Sequence, residues 1–252
     1  MDFTVHKYKS LLLSMKNAGY EFQTYNDFII QPKNKVIILR HDVDLKPENS
    51  LCFADIQAEL GIKGVYYFRA VKESWDDTII KKISSLGHEI GYHYENITTT
   101  NGNLNLAFKD FTKNLELLRK LAPVSTICMH GSPLSKYDNK DLWKTNDYKL
   151  LGIIAEPYFD TDFDKVFYLT DTGRTWNSEK FSVRDKVNSS FTQKFNETNE
   201  IIAALNQNKL PNQIMFTFHP QRWNDHFIKW FIELFNQNVK NLVKKLLILI
   251  RK

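Results

Sequence analysis

Six short apolar runs, rich in β-branched and aromatic residues, punctuate this chain: VIIL (36–39), GVYYF (64–68), EIGYHYE (89–95), VSTICM (124–129), VFYLT (166–170) and IMFTF (214–218). Stretches of helical patterning lie between them near 47–60, 75–86, 105–121 and 194–208, and helical patterns flank the set at both ends. Strands alternating with helices call for parallel pairing through crossovers, so the fold class is α/β, either an open sheet or a closed parallel (β/α) barrel. No linker, repeat or low-complexity stretch divides the 252 residues, which predicts a single domain over 1–252. The segment 131–190, rich in Asp, Asn and Tyr, is the least regular and is expected to form long loops over one end.

Four of the runs pass directly into polar clusters: Arg40-His41-Asp42-Val43-Asp44, His130-Gly131-Ser132-Pro133, Asp171-Thr172-Gly173-Arg174 and His219-Pro220. In parallel β/α folds the site lies at this end of the strands, where the βα loops gather, so four such ends predict one convergent site. Alternation along a strand puts Asp42 and Asp44 on one face, with His41 and Val43 on the other. Two apposed carboxylates are costly to hold together without a cation or a shared proton, which points to a metal with a neighbouring base. The plainer alternative is that either aspartate caps the helix starting near Pro47. In GHEIGYHYE, His93 and Glu95 share a face and are candidate joint ligands, whereas His88 points away. His130 and His219 are each as compatible with a structural as with a catalytic role, and His6 and His226 read as surface residues.

Composition narrows the function. Neither a GxGxxG pattern nor a P-loop occurs, so nucleotide binding has no local support. The net charge of +5 is concentrated in Lys240, Lys244, Lys245, Arg251 and Lys252; without these, basic and acidic residues balance, which argues against a nucleic-acid-binding face. The first twenty residues carry charges throughout, unlike a signal peptide or membrane span, so a cytoplasmic location is expected. Cys52 and Cys128 lack metal-binding spacing and read as reduced thiols. The segment 238–252 suits either an amphipathic helix on an anionic membrane surface, peripheral to the inner face, or a terminal helix packed on the body with its lysines in solvent.

Taken together these motifs resemble the polysaccharide deacetylase superfamily (NodB-homology, carbohydrate esterase family 4-like) across roughly 36–220. Asp42-Val43-Asp44 resembles its Asp-x-Asp motif and Gly87-His88-Glu89-Ile90-Gly91-Tyr92-His93 its GHEIGxH motif. Asp171-Thr172-Gly173-Arg174-Thr175-Trp176 and Phe216-Thr217-Phe218-His219-Pro220 are similar to its later motifs. The variant RHDVD…GHEIGYHYE…HGSP…DTGRTW…HPQRW is similar to a WbmS-like subgroup found with bacterial surface-polysaccharide biosynthesis. The resemblance implies an irregular NodB-type barrel of about seven strands, with a divalent metal, zinc foremost and cobalt, nickel or manganese as alternatives. It further implies Asp42 as general base, Asp44 and His93 as metal ligands and His219 as general acid, acting on an acetylated sugar or polysaccharide. Where the family places a further histidine this chain has Ile97, which leaves Glu95 and His130 as alternative third ligands. Trp176, Tyr94 and Trp223 are candidate sugar-stacking rings, or ordinary packing. Arg174 and Arg222 are candidate contacts to a substrate phosphate or carboxylate, or partners of Asp171 or other acids at the pocket rim. Two competing functions remain: a metal-dependent hydrolase of another amide or ester, and a degenerate glycan-binding barrel.

Overall fold

The computed structural model describes residues 1–177, 184 and 187–250, the last seven as backbone. Seven parallel strands form one sheet: β1 Glu21–Gln23, β2 Val36–Val43, β3 Val65–Phe68, β4 Glu89–Tyr94, β5 Ile127–Met129, β6 Phe167–Thr170 and β7 Gln213–Phe218. Their order is β5-β4-β3-β2-β7-β6, with β1 beside the first half of β2, and the sheet curls into a half-barrel. All six expected runs are strands. Only β1, three residues long, escaped the pattern, because three residues are too few to show alternation.

Alternation sorts every strand into two faces. Ile37, Leu39 and Val43 of β2, Ile90, Tyr92 and Tyr94 of β4, and Ile214, Phe216 and Phe218 of β7 join the larger core beneath the surrounding helices. The other face carries Val36, Ile38, Val65, Tyr67 and Met215, which fill the hollow of the curled sheet together with Tyr25 and Phe28 from helix α2, Tyr25–Ile30. That apolar filling stops partway up. Above Ile38, the same face of β2 turns to Arg40 and then Asp42, both buried. The polar end of the hollow is therefore dictated by the order of residues along each strand.

The helices are cut where the sequence supplies caps. Thr4, Asp76 and Asn103 accept backbone N–H bonds at the starts of α1 (Val5–Asn17), α4 (Asp77–Ser85) and α6 (Leu104–Arg119). Helix α3, Pro47–Glu59, is entered through Lys46 at φ 54° with no side-chain cap, so neither Asp42 nor Asp44 serves as its cap. The remaining helices are α5 (Asn96–Thr99), α7 (Pro157–Asp160), α8 (Thr198–Asn206) and α9 (Phe227–Ile250). Among the described residues no helix is long and apolar enough to cross a membrane.

Candidate metal centre and cleft

Asp42 ends the polar face of β2, and Asp44 follows just beyond the strand, its amide bonded to the Asp42 carbonyl at 3.1 Å. Arg40, two residues earlier on the same face, grips Asp42 bidentately: Nε donates to Oδ1 at 2.8 Å and Nη2 to Oδ2 at 2.7 Å. Burial works to raise the Asp42 carboxyl, but the charge and hydrogen bonds of Arg40 prevail and hold it below the usual carboxylate range. A carboxylate so placed stays ionised while one edge remains open to the cleft.

Three donors converge beside it. The Asp44 carboxylate, His93 Nε2 from β4 and His130 Nε2 from the end of β5 all lie within 4.8 Å of one another. Asp44 Oδ1 is buried with no hydrogen-bond partner, and sits 3.7 Å from His93 Nε2 and 3.5 Å from His130 Nε2. Each histidine is oriented by its other nitrogen. His93 Nδ1 donates to the Cys128 carbonyl at 2.9 Å, and His130 Nδ1 donates to Glu95 Oε2 at 2.8 Å. An orphaned carboxylate oxygen facing two imidazole nitrogens, each backed by an anchored ring, fits a divalent metal ion. Burial pushes the His93 imidazole down to about 4, so it is the neutral, ligating form that this site favours. A second triple, Asp42, His93 and Cys128, is also close together; it shares His93 with the first, and each Asp42 oxygen accepts a hydrogen bond from Arg40.

Glu95 lies outside the converging set. Its Oε1 accepts from Arg69 Nε at 2.7 Å, and its Oε2 accepts from His130 and from Ser132 Oγ. Burial would raise this carboxyl, yet His130 and Arg69 hold it at about 2. Ile97 is buried in the larger core, because the chain turns into α5 directly after Glu95 and carries residue 97 away from the cleft.

On the opposite wall His219, just past β7, donates from Nδ1 to Asp171 Oδ1 at 2.5 Å and presents Nε2 to the cleft, 3.8 Å from Asp44 Oδ2. Asp171 is fully buried and also accepts from the His219 amide, Arg222 Nη1 and Trp223 Nε1. Burial acts to raise its carboxyl, but His219 and Arg222 keep it low, so Asp171 stays an anion aimed at the imidazole. Arg40 was not chosen from sequence, and Asp171 was named there only as a partner for Arg174 or Arg222, a pairing that Arg222 makes. Arg40 carried a signal, since strand alternation puts it on the same face as Asp42. The pairing of Asp171 with His219, 48 residues away, left no local trace.

The cleft is a cavity of about 540 Å³ whose floor is Asp42, Asp44, His93, His130 and His219. Of the residues expected to touch substrate, only Arg222 lines it, and its Nη1 is committed to Asp171. Trp176, Tyr94 and Trp223 do not line the cavity. All three are buried, with Trp176 Nε1 donating to Thr198, Trp223 Nε1 to Asp171, and Tyr94 packed edge-on to Phe111 and Trp143. Arg174 also lies away from it: Nη1 donates to the Trp230 carbonyl and the guanidinium stacks over the Trp230 ring, clasping α9.

No protein-family model matches this chain, and no curated protein matches it. Solved structures similar in overall path include a CE4 esterase from Streptococcus mutans, at 12% identity over 87% of this chain and 85% of that chain, TM-score 0.46. A CE4 family pseudoenzyme from Bacillus anthracis is similar at 12% identity, covering 83% and 63% of the two chains, TM-score 0.45. PdaA of Bacillus subtilis, a family 4 carbohydrate esterase, is similar at 12% identity, covering 91% and 83%, TM-score 0.38.

Proposed function

We propose that this chain is a metal-dependent hydrolase that removes the acetyl group from an N-acetylated amino sugar, in the making of a bacterial surface polysaccharide. The observation that carries the reading is the unpartnered, buried Asp44 oxygen between two anchored imidazoles, with an ionised aspartate on one side and an Asp–His pair on the other. The motif order along the sequence supplies the carbohydrate assignment.

Asp44, His93 and His130 would hold a divalent ion, zinc by the mixture of imidazole and carboxylate donors. Such an ion supplies a polarised acetyl carbonyl and a water acidic enough to ionise near neutrality. Asp42, kept anionic and aimed by Arg40, accepts the proton of the water that attacks the carbonyl carbon. His219, held through Nδ1 by Asp171, faces the cleft with Nε2 and delivers a proton from it to the sugar nitrogen as the C–N bond breaks. Acetate leaves and the free amine remains. Glu95 and Asp171 act through the histidines they orient, and are positioning residues.

The test is acetate release from N-acetylated amino sugars and their oligomers by the zinc-loaded protein. Asp42→Asn is expected to lower turnover by ~10²–10⁴-fold while one equivalent of metal is retained. Full activity in Asp42→Asn, or an amine-free product with an ester-bearing substrate alone, would reject the assignment.

A further inference from the structure

Helix α9 is amphipathic in the inverted sense. Its polar Gln237 and Asn241 are buried against the body, where Gln237 Nε2 donates to Asn241 Oδ1 and Asn241 Nδ2 donates to the Gly173 carbonyl. Its apolar side chains face outward instead: Phe227, Ile228, Phe231, Phe235, Val239 and Leu242 are all at least half exposed. At 100° per residue, these lie within an arc of about 120° on one side of the helix, a continuous apolar stripe. Stripes of this size on a folded surface mark an interaction site.

Charge chooses the occupant. The sequence from residue 227 onward carries Lys229, Lys240, Lys244, Lys245, Arg251 and Lys252 against a single acid, Glu233. An apolar helical face accompanied by such an excess of lysine and arginine matches an anionic lipid surface, where the rings enter the acyl boundary and the cations meet the phosphates. A second copy of the chain would bring the same cationic excess to the same stripe. The cleft completes the case, because Glu233, Gln237, Val239, Lys240 and Val243 of α9 form part of the cavity wall that encloses Asp44 and His130. Whatever surface covers the stripe therefore borders the mouth of the cleft.

We infer that α9 docks the protein on an anionic phospholipid surface and so presents the cleft to a saccharide attached to a membrane lipid. The substrate class rests on the hydrolase reading above; the docking does not.

The experiment uses the full chain in co-sedimentation with vesicles of phosphatidylglycerol and phosphatidylethanolamine, and with vesicles of phosphatidylcholine alone. The protein pellets with the anionic vesicles, and less so as salt is raised. The double variant Phe231→Ser/Phe235→Ser, whose side chains already meet solvent and stand apart from the cavity, loses at least ~10-fold in partitioning with unchanged turnover of soluble acetylated sugars. Failure of the wild-type chain to pellet, or equal pelleting of the double variant, overturns the docking. A wild-type dimer in sedimentation velocity that the double variant disperses gives the stripe to a second copy instead. Anionic vesicle binding without acetate release from any acetylated sugar leaves the docking standing and rejects the hydrolase reading.

Discussion

His130 shows how much one hydrogen bond decides. With Nδ1 tied to Glu95 at 2.8 Å, only Nε2 is left to face Asp44, so the tautomer and ring plane are set before any ion arrives. Glu95→Gln is expected to weaken zinc binding ~10–100-fold at unchanged stoichiometry, whereas His130→Ala abolishes it; chelator competition reads both. The opposite ranking would exchange the two residues' roles. His41 makes a second residue-level case. Fully buried, it donates from Nδ1 to the Val65 carbonyl and accepts at Nε2 from Gln57 and Tyr8, an arrangement that only the neutral ring satisfies. Burial pushes it down to about 3. The stability this contributes is fully present above the unfolded value near pH 6.5 and drains away as pH falls toward 3. Nitrogen-15 spectra at pH 5 should still show a neutral, Nδ1-protonated His41; a charged ring there would contradict its placement. Strand periodicity alone put Asp42, Asp44 and His93 on the faces they occupy. It could not separate Glu95 from His130, because that depends on Arg69, which reaches Glu95 from the end of another strand.

At the level of elements, β4 is the tightest. A side chain at Gly91 would place its Cβ 2.2 Å from the Tyr67 ring and 3.0 Å from the Thr126 carbonyl, both in the packed hollow. Gly91→Ala is therefore expected to cost about 1–3 kcal/mol, read as a lowered urea midpoint. Strand and helix positions were largely legible, since runs of β-branched and aromatic residues and the helical periods between them are local properties. The fate of the aromatic side chains was not. Trp176 and Trp223 follow polar strand ends as stacking rings would, yet they pack on Phe3 and Phe218, Trp176 stacked on Phe3 and the other contacts edge-on, a packing made by segments far apart in sequence. Arg174 misled for a similar reason. The segment it belongs to turns through a left-handed position, φ 58°, and delivers the guanidinium to α9 rather than to the cavity.

Across the whole molecule, the first residues are tied to the start of α9 and the segment before it. The Asp2 carbonyl accepts from Trp230 Nε1 at 2.6 Å, the Phe3 carbonyl accepts from the Asn224 amide, and the Phe3 ring packs on Trp223, the neighbour of Asp171. Phe3→Ala is expected to lower stability by about 3 kcal/mol and to quicken amide exchange over residues 219–230; exchange confined to the first residues would show that the two segments are not coupled. The sheet order has a consequence for biogenesis. The central strand β2 finds β1 and β3 soon after synthesis, but its other edge is covered only by β7, more than 170 residues later. Until the ribosome has delivered residue 218, that edge of the nascent chain is an open template of unpaired backbone groups, and the wall of the cleft that carries His219 does not yet exist. Closure over so long a separation is slow, which makes the partly translated chain a natural client for chaperones and makes C-terminal truncation a route to aggregation rather than to a smaller folded unit.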